Sequence, residues 1–339
     1  MTIESVSLDA NENARIWVLT DGRPGNVNPA MGLAEEVAAA RSDIRIEQKL
    51  LEPISPLMRL PPRFAEIACS LLGTSSHRWP AKGFKDGPAR LAPPYPTLAI
   101  GCGRLSAPVT AMLRFLSGGQ TRAVQLLNPQ MPLNRFDLVV APRHDRLSGD
   151  NVLETTGWLS RRRADVVGSD NSALDRLPRP LLSVLIGGAS KSARFESSDA
   201  EALLAQLRTF QQKGWGIAAT LSNRTPADLG ARLRDGLTDL GGWVWDGTGE
   251  NPYPSLLSQA SALVVTADSV NMASEACATG QPVYIAPVSR LSPKLTRFHA
   301  ALRQGDHARP LAEASTAAWR PVKLDDMPRA AAAVARLIA

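Results

Sequence analysis

Residues able to bind or polarise an anion recur in this chain at one kind of place, directly after a short apolar run. One such run ends in Leu185-Ile186 and is followed by Gly187-Gly188-Ala189-Ser190-Lys191-Ser192. Paired glycines let a backbone approach a phosphate, and Ser190 and Lys191 add a hydroxyl and a cation, so the loop reads as a phosphate cradle or, more plainly, as a turn. It has neither the GxxxxGK[ST] nor the GxGxxG spacing. A second stretch, Thr220-Leu221-Ser222-Asn223-Arg224-Thr225-Pro226, offers Ser222 and a guanidinium that could clamp a phosphate bidentately. Alternatively, Thr225 caps the helix that Pro226 opens and Arg224 faces solvent. The third is Thr266-Ala267-Asp268-Ser269-Val270-Asn271-Met272-Ala273-Ser274-Glu275, leading to Gly280-Gln281-Pro282. Helical spacing predicts that Asp268, Met272 and Glu275 share a face, with a phosphate on the first turn near Ser269 and a ribose diol on Glu275. Taken singly, Asp268 or Ser269 would be an N-cap and Met272 a core residue.

The N-terminal half carries a second group. Thr20-Asp21-Gly22-Arg23-Pro24-Gly25-Asn26-Val27-Asn28 reads as a turn longer than a plain connection needs, with Gly22, Gly25, Asn26 and Asn28 facing a cleft. Gly101-Cys102-Gly103-Arg104 and Pro142-Arg143-His144-Asp145 also follow apolar runs. His144 beside Asp145 is a candidate general base and Asp21 the other catalytic candidate, although a lone histidine next to an acid more often serves structure.

Short β-branched runs alternating with helix-period segments would hold these loops, the pattern of parallel βαβ units. Strands are predicted over 15–20, 44–50, 97–100, 123–127 and 138–141, with helices over 29–41 and 105–116. A second set follows, with strands over 181–186, 216–221, 243–245, 262–266 and 282–285 and helices over 198–213, 226–235, 254–259, 270–279, 293–303 and 328–338. In open parallel sheets ligands gather at strand carboxyl ends, where every loop named above lies. Residues 53–96 read as an insertion or loop with a short helix over 63–72, and residues 168–180, rich in Ser, Asp, Asn and Pro, as a linker. The fold class is therefore α/β with two Rossmann-like domains whose parallel sheets face a cleft. Residues 1–175 form the first domain, 176–325 the second, and a terminal helix lies in 326–339.

Lys and Arg outnumber Asp and Glu by 38 to 32, and the net charge of +6 suits an anionic partner. Nucleic acid is not that partner, because aromatics make up 5% of the chain and supply few stacking platforms. The run Arg161-Arg162-Arg163 reads as a solvated loop. Cys69, Cys102 and Cys277 are too far apart for a zinc knuckle or a disulfide framework and no Asp-x-Asp is present, so neither metal nor other cofactor is expected. The N-terminal residues lack the basic and apolar regions of a signal peptide, and no apolar run reaches membrane-spanning length. A cytoplasmic location follows, with any membrane contact peripheral.

The motifs from Thr20 to Asn26, Ile186 to Lys191 and Thr266 to Met272 span nearly the whole chain. They resemble those of bacterial members of the plant mitochondrial-fission "elongated mitochondria" family, often labelled nucleoside-diphosphate-sugar epimerases. The pattern Asp268-Ser269, Glu275-Ala276 and Gly280-Gln281-Pro282 is also similar to the nucleotide site of glycosyltransferases with two Rossmann-like domains, the GT-B type. That resemblance implies a ribose on Glu275, phosphates on the Gly187 to Ser190 loop, and metal-independent use of a nucleotide-sugar donor bound by 176–325 in an interdomain cleft. It also implies that an unknown acceptor is held by first-domain loops at Gly22, Gly25, Asn26, Asn28, Gly103 and Arg104, and that the terminal helix in 326–339 packs back on residues 1–175. The family resemblance implies an alternative, a non-catalytic adaptor that recruits membrane-remodelling partners. A non-hydrolysing nucleotide-sugar epimerase is a further alternative. An epimerase of the short-chain-dehydrogenase kind is excluded, because Tyr95, Tyr253 and Tyr284 all lack the lysine of Tyr-x-x-x-Lys.

Overall fold

The computed structural model describes residues 14–39, 43–54, 62, 79–161, 172–314 and 319–339. The predicted helix over 63–72, together with Cys69, Arg162 and Arg163, lies outside them. The chain forms two compact units. The first consists of Met1–Ala141, Leu147–Leu153 and Met327–Ala339, and the second of Pro142–Arg146 and Glu154–Asp326. The division thus falls ahead of the stretch read as a linker. Of that stretch, residues 168–171 lie outside the described set, whereas Ser172–Asp175 form a short helix whose Leu174 is fully buried in the second unit's core. A single apolar anchor outweighs the linker-like composition around it.

The first unit is built on β1 (Arg15–Thr20), β2 (Arg45–Leu50), β3 (Leu98–Cys102), β4 (Arg122–Leu126), β5 (Leu138–Pro142) and β6 (Val152–Thr155), ordered β2-β1-β3-β4-β5-β6. Registers among β1 to β5 are parallel. Strand β3, Leu-Ala-Ile-Gly-Cys, is buried at every position, the continuous apolar run expected of a strand covered on both faces. The chain places β2 on one side of β1 and β3 on the other, so the topological switch lies between β1 and β3. Helices α1 (Pro24–Ala39), α2 (Trp79–Lys82), α3 (Gly87–Arg90) and α4 (Ala107–Leu116) connect the strands.

Helix α1 corrects the long-turn expectation. Pro24 takes the first helical position, which its fixed φ suits, and Asn26 N and Val27 N donate to Arg23 O at 2.8 and 2.9 Å. The helix continues through Gly25, Asn26 and Pro29 because Ala30, Leu33, Ala34 and Val37 bury one face against the sheet. Packing of that face overrides the turn preference of the leading residues. Only Asp21–Arg23 remains as a loop.

The second unit holds β7 (Leu181–Ile186), β9 (Gly216–Leu221), β10 (Trp243–Val244), β11 (Ala262–Thr266), β12 (Val283–Ala286) and β14 (Arg309–Pro310), ordered β10-β9-β7-β11-β12-β14 and all parallel. Strands β8 (Ala193–Arg194) and β13 (Arg290–Leu291) pair antiparallel as a separate ribbon. Helices α5 (Ser172–Asp175), α6 (Ser197–Gln211), α7 (Ala227–Asp239), α8 (Tyr253–Ser258), α9 (Val270–Cys277) and α10 (Pro293–Gln304) cover the sheet. Alternation along β7 splits the core. Leu182, Val184 and Ile186 join the cluster with α6 and α7, while Leu181 and Leu185 join that with α8, α9 and α10. The switch of this sheet lies between β7 and β11.

A last helix, α11 (Met327–Ala335), belongs to the first unit and packs against α1, burying Met327, Ala330, Ala331 and Val334. Beyond its end, Leu337 O accepts from Arg122 Nε at 3.0 Å. Among the described residues, no helix is long and apolar enough to cross a membrane.

Candidate functional site

At the carboxyl edge of the second sheet one carboxylate gathers three strand ends. Asp268 Oδ1 accepts from Thr266 Oγ1 at 2.7 Å, and Oδ2 accepts from Gly188 N at 2.9 Å and Arg224 Nη2 at 3.0 Å. Thr266 Oγ1 in turn accepts from Gly187 N at 2.8 Å, and Thr225 Oγ1 donates to Gly187 O at 2.6 Å. The loops after β7, β9 and β11 are thereby tied together. Asp268 has no exposed side-chain surface, whereas Arg224 keeps 43% of its own.

This geometry changes several sequence expectations. The Gly187 and Gly188 amides are bonded to Thr266 and Asp268, so the glycines serve close approach within the protein. A Cβ on Gly187 would overlap the Asp268 carboxylate. Asp268 is neither the N-cap nor on a helical face with Met272 and Glu275, because α9 begins at Val270 and Ser269 caps it, accepting from Met272 N at 3.4 Å. Thr225 does not cap α7, since its hydroxyl is committed to Gly187. Ser222 Oγ shapes its own turn by accepting from Arg224 N at 3.2 Å. Ser190 N donates to Ala193 O at 2.9 Å, and Lys191 beside it is exposed. Met272 is partly buried against the α9 side of the core.

Glu275 lies on the second turn of α9 and accepts a short hydrogen bond from the Tyr253 hydroxyl at the start of α8. Burial, reinforced by the neighbouring carboxylate, pushes the Tyr253 phenol well above its ordinary range. Sequence reasoning passed over Tyr253. Its one signal was an aromatic held between Pro252 and Pro254, just ahead of a strand. His299 of α10 was also missed. Its Nε2 is hydrogen-bonded to Ala267 O at 2.7 Å, and burial lowers its pKa although Ala267 and Asp268 act the other way.

The sequence sets His144 among the N-domain loops, yet Pro142–Arg146 belongs to the second unit. Its ring is 2% exposed and meets Phe298 edge-on at 5.3 Å, while its carbonyl accepts from Arg297 Nη2 at 3.1 Å. Asp145 pairs with Lys294. Burial lowers the His144 pKa to about 4 against the pull of Asp145, with Lys294, Arg297 and His299 reinforcing it. The ring is a neutral, enclosed group and not one facing an open sheet edge.

In the first unit the switch brings together Asp21, Asn26 and Gly103. Asp21 Oδ1 accepts from Arg23 N at 3.1 Å and Asn26 Nδ2 at 3.0 Å, and Asn26 Oδ1 accepts from Cys102 Sγ at 3.7 Å. Gly103 has φ +78, and a Cβ there would stand 3.2 Å from the Asn26 amide. Gln125 Nε2 fixes the same turn by donating to Gly103 O at 2.9 Å. Gly22 and Arg104 are exposed at this edge, whereas Gly25 and Asn28 are absorbed into α1. Burial, with Asp21 adding to it, pushes the Cys102 thiol far above its usual range.

The family model described as Mitochondrial fission ELM1 matches residues 24–338. The chain belongs to this family. The Mitochondrial fission protein ELM1 of Arabidopsis thaliana is 31% identical over 276 residues, which cover 72% of this chain and 64% of that one, so the chain spans less than two thirds of that relative's length. Among solved structures, Medicago truncatula UGT71G1 complexed with UDP-glucose has a TM-score of 0.53 at 10% identity, covering 98% of this chain and 91% of its own. A Listeria monocytogenes protein, provisionally assigned as a UDP-N-acetylglucosamine 2-epimerase, has a TM-score of 0.52 at 10% identity, covering 95% of each chain. With the two parallel six-stranded sheets, these likenesses establish that this ELM1-family chain has the fold of GT-B glycosyltransferases and epimerases.

Proposed function

We propose that this ELM1-family chain binds a nucleoside-diphosphate sugar on its second unit and acts as a metal-independent, glycosyltransferase-like protein. The observation that carries the reading is the position of Asp268 and its partner Arg224 at the carboxyl edge of β7, β9 and β11, beside the sheet's topological switch, with Glu275 on the helix that follows. Open α/β sheets take their ligands at such points. Arg224, oriented by Asp268 and still half-exposed, keeps donors for a phosphate. Lys191, Ser190 and the first turn of α9 at Ser269 complete the anion-facing set, since the Gly187 and Gly188 amides are committed elsewhere. Glu275, steadied by Tyr253, takes the ribose diol. The UDP-glucose in the Medicago protein supports this substrate class. At the first unit's switch, Asp21 would accept the acceptor's proton, with Asn26 and Gly103 shaping the surface around it. The enclosure of His144 leaves Asp21 as the candidate base.

Calorimetry against nucleoside diphosphates and their sugars tests the reading. Hydrogen bonds to charged groups contribute about 1.5–3 kcal/mol, so Arg224→Ala and Glu275→Ala should each weaken binding by about 10- to 150-fold with the fold intact. EDTA should change nothing. Absence of any heat or melting shift from nucleotides at millimolar concentration, in a folded protein, would overturn it.

One observation favours a second reading. Thr225, Thr266 and Asp268 satisfy the Gly187-Gly188 loop without a ligand, a lock that a non-catalytic adaptor of membrane-remodelling partners would retain for stability alone. In that case nucleotides fail in the same calorimetry while partner binding survives Glu275→Ala.

A further inference from the structure

We infer that Arg194 and Arg290 form a phosphate clamp on the β8–β13 ribbon, a site that does not depend on the nucleotide reading. Among the described residues the two strands pair only with each other, with Arg290 opposite Arg194 and Leu291 opposite Ala193. Ala193 is buried and Leu291 half-buried, which leaves both arginines exposed. Residues directly opposite in an antiparallel pair have Cα atoms about 4.5–5.5 Å apart, and like charges there are destabilising. Nothing on the ribbon relieves this. Among the described residues, neither guanidinium has an ion pair or side-chain hydrogen bond.

Two acids close in sequence, Glu196 and Asp199, are held by the capping box of α6 and by Ser289. Asp199 accepts from Glu196 N, Ser289 N and Ser289 Oγ, and the Glu196 side chain closes the reciprocal half of the capping box of α6. On the basic side, Lys294 is taken by Asp145. Lys191, exposed on the turn that Ser190 N closes onto Ala193 O, belongs to the nucleotide reading and is not part of the clamp. The backbone holds the arrangement rigid, because Ser292 N donates to Ser192 O at 2.7 Å and extends the ribbon by one rung.

Two arginines set opposite each other by the backbone register suit a phosphate dianion, since each guanidinium fork can give two parallel N–H donors to its oxygens. The same chemistry is presented by a free phosphate or diphosphate and by an anionic lipid headgroup. Two arms separate these sources, thermal unfolding with inorganic pyrophosphate against sodium chloride of equal ionic strength, and co-sedimentation with phosphatidylcholine vesicles with and without phosphatidylglycerol.

With pyrophosphate measured in an Arg224→Ala background, so that the nucleotide site does not answer, Arg194→Gln and Arg290→Gln should each weaken the responding arm about tenfold, and the double variant should lose it. Without an anion these variants should melt at or above the wild-type temperature, since the repulsion is gone. A pyrophosphate shift lost in the double variant assigns the clamp to free phosphate. Vesicle binding that needs both phosphatidylglycerol and the arginines assigns it to a lipid headgroup. Equal behaviour of wild type and double variant in both arms overturns the proposal. The Arg194→Gln/Arg290→Gln double variant should bind nucleoside diphosphates as wild type in calorimetry, so failure of the nucleotide reading and failure of the clamp are told apart.

Discussion

Asp268 and His144 are both enclosed polar groups, and they affect the protein in opposite ways. The first is a carboxylate whose donors come from three loops, so removing its charge leaves Gly188 N and Arg224 with a weaker acceptor in a buried setting. Asp268→Asn should cost about 3 kcal/mol in urea unfolding with an unchanged m-value. The second is a histidine held neutral. Its pKa falls from 6.5 to about 4 in the folded chain, so between those values the unfolded state carries a proton that the native state does not. Its contribution is therefore fully present above pH 6.5, is lost progressively as pH drops to 4, and amounts to about 3 kcal/mol across that window. Unfolding midpoints measured from pH 7.5 to pH 4 should fall more steeply in wild type than in His144→Gln. Parallel curves would contradict the assignment. His299, lowered for the same reason, leaves part of the slope in the variant.

Among the elements, α1 and α9 show how packing redraws boundaries. The Gly-Pro-Asn composition of residues 22–28 signals a turn, but the apolar stripe from Ala30 to Val37 recruits the preceding residues into the helix. Pro29 sits inside α1 and has no amide to donate to the preceding turn. Pro29→Ala restores that donor at the expense of some buried ring volume, and the net effect should be a gain of about 1 kcal/mol, visible as a higher melting temperature. A lower melting temperature would mean that the proline ring's packing dominates. In α9 the serine, not the aspartate before it, takes the cap. Asp268 has a tertiary use for its oxygens that local spacing does not encode.

At the scale of the whole molecule, each sheet forms its own unit, and the first is completed by the last residues of the chain. Removing 327–339 strips α11 from α1 and uncovers the apolar surface that Ala330, Ala331 and Val334 bury. Hydrogen exchange should then quicken in α1 and β1 while β7, β9 and β11 keep their protection. Equal loss in both sheets would show that the second unit depends on α11 too. The sequence alone sufficed for the βαβ alternation and for β1, β7, β9 and β11 at their observed bounds, because periods of two and 3.6 residues are local properties that burial on both sheet faces only reinforces. It also placed Asp21, Arg224 and Asp268 just after strand ends and Glu275 on the second turn of a helix, since those positions follow from the alternation. Only the tertiary structure decided what each group faces. Gly188 and Asp268 lie 80 residues apart, and Gly187 and Thr266 lie 79 apart. No local preference specifies such pairings, nor the one that sets Arg194 against Arg290. Packing and hydrogen-bond satisfaction across the folded core select them, and with them the difference between an amide open to a phosphate and one already bonded within the protein.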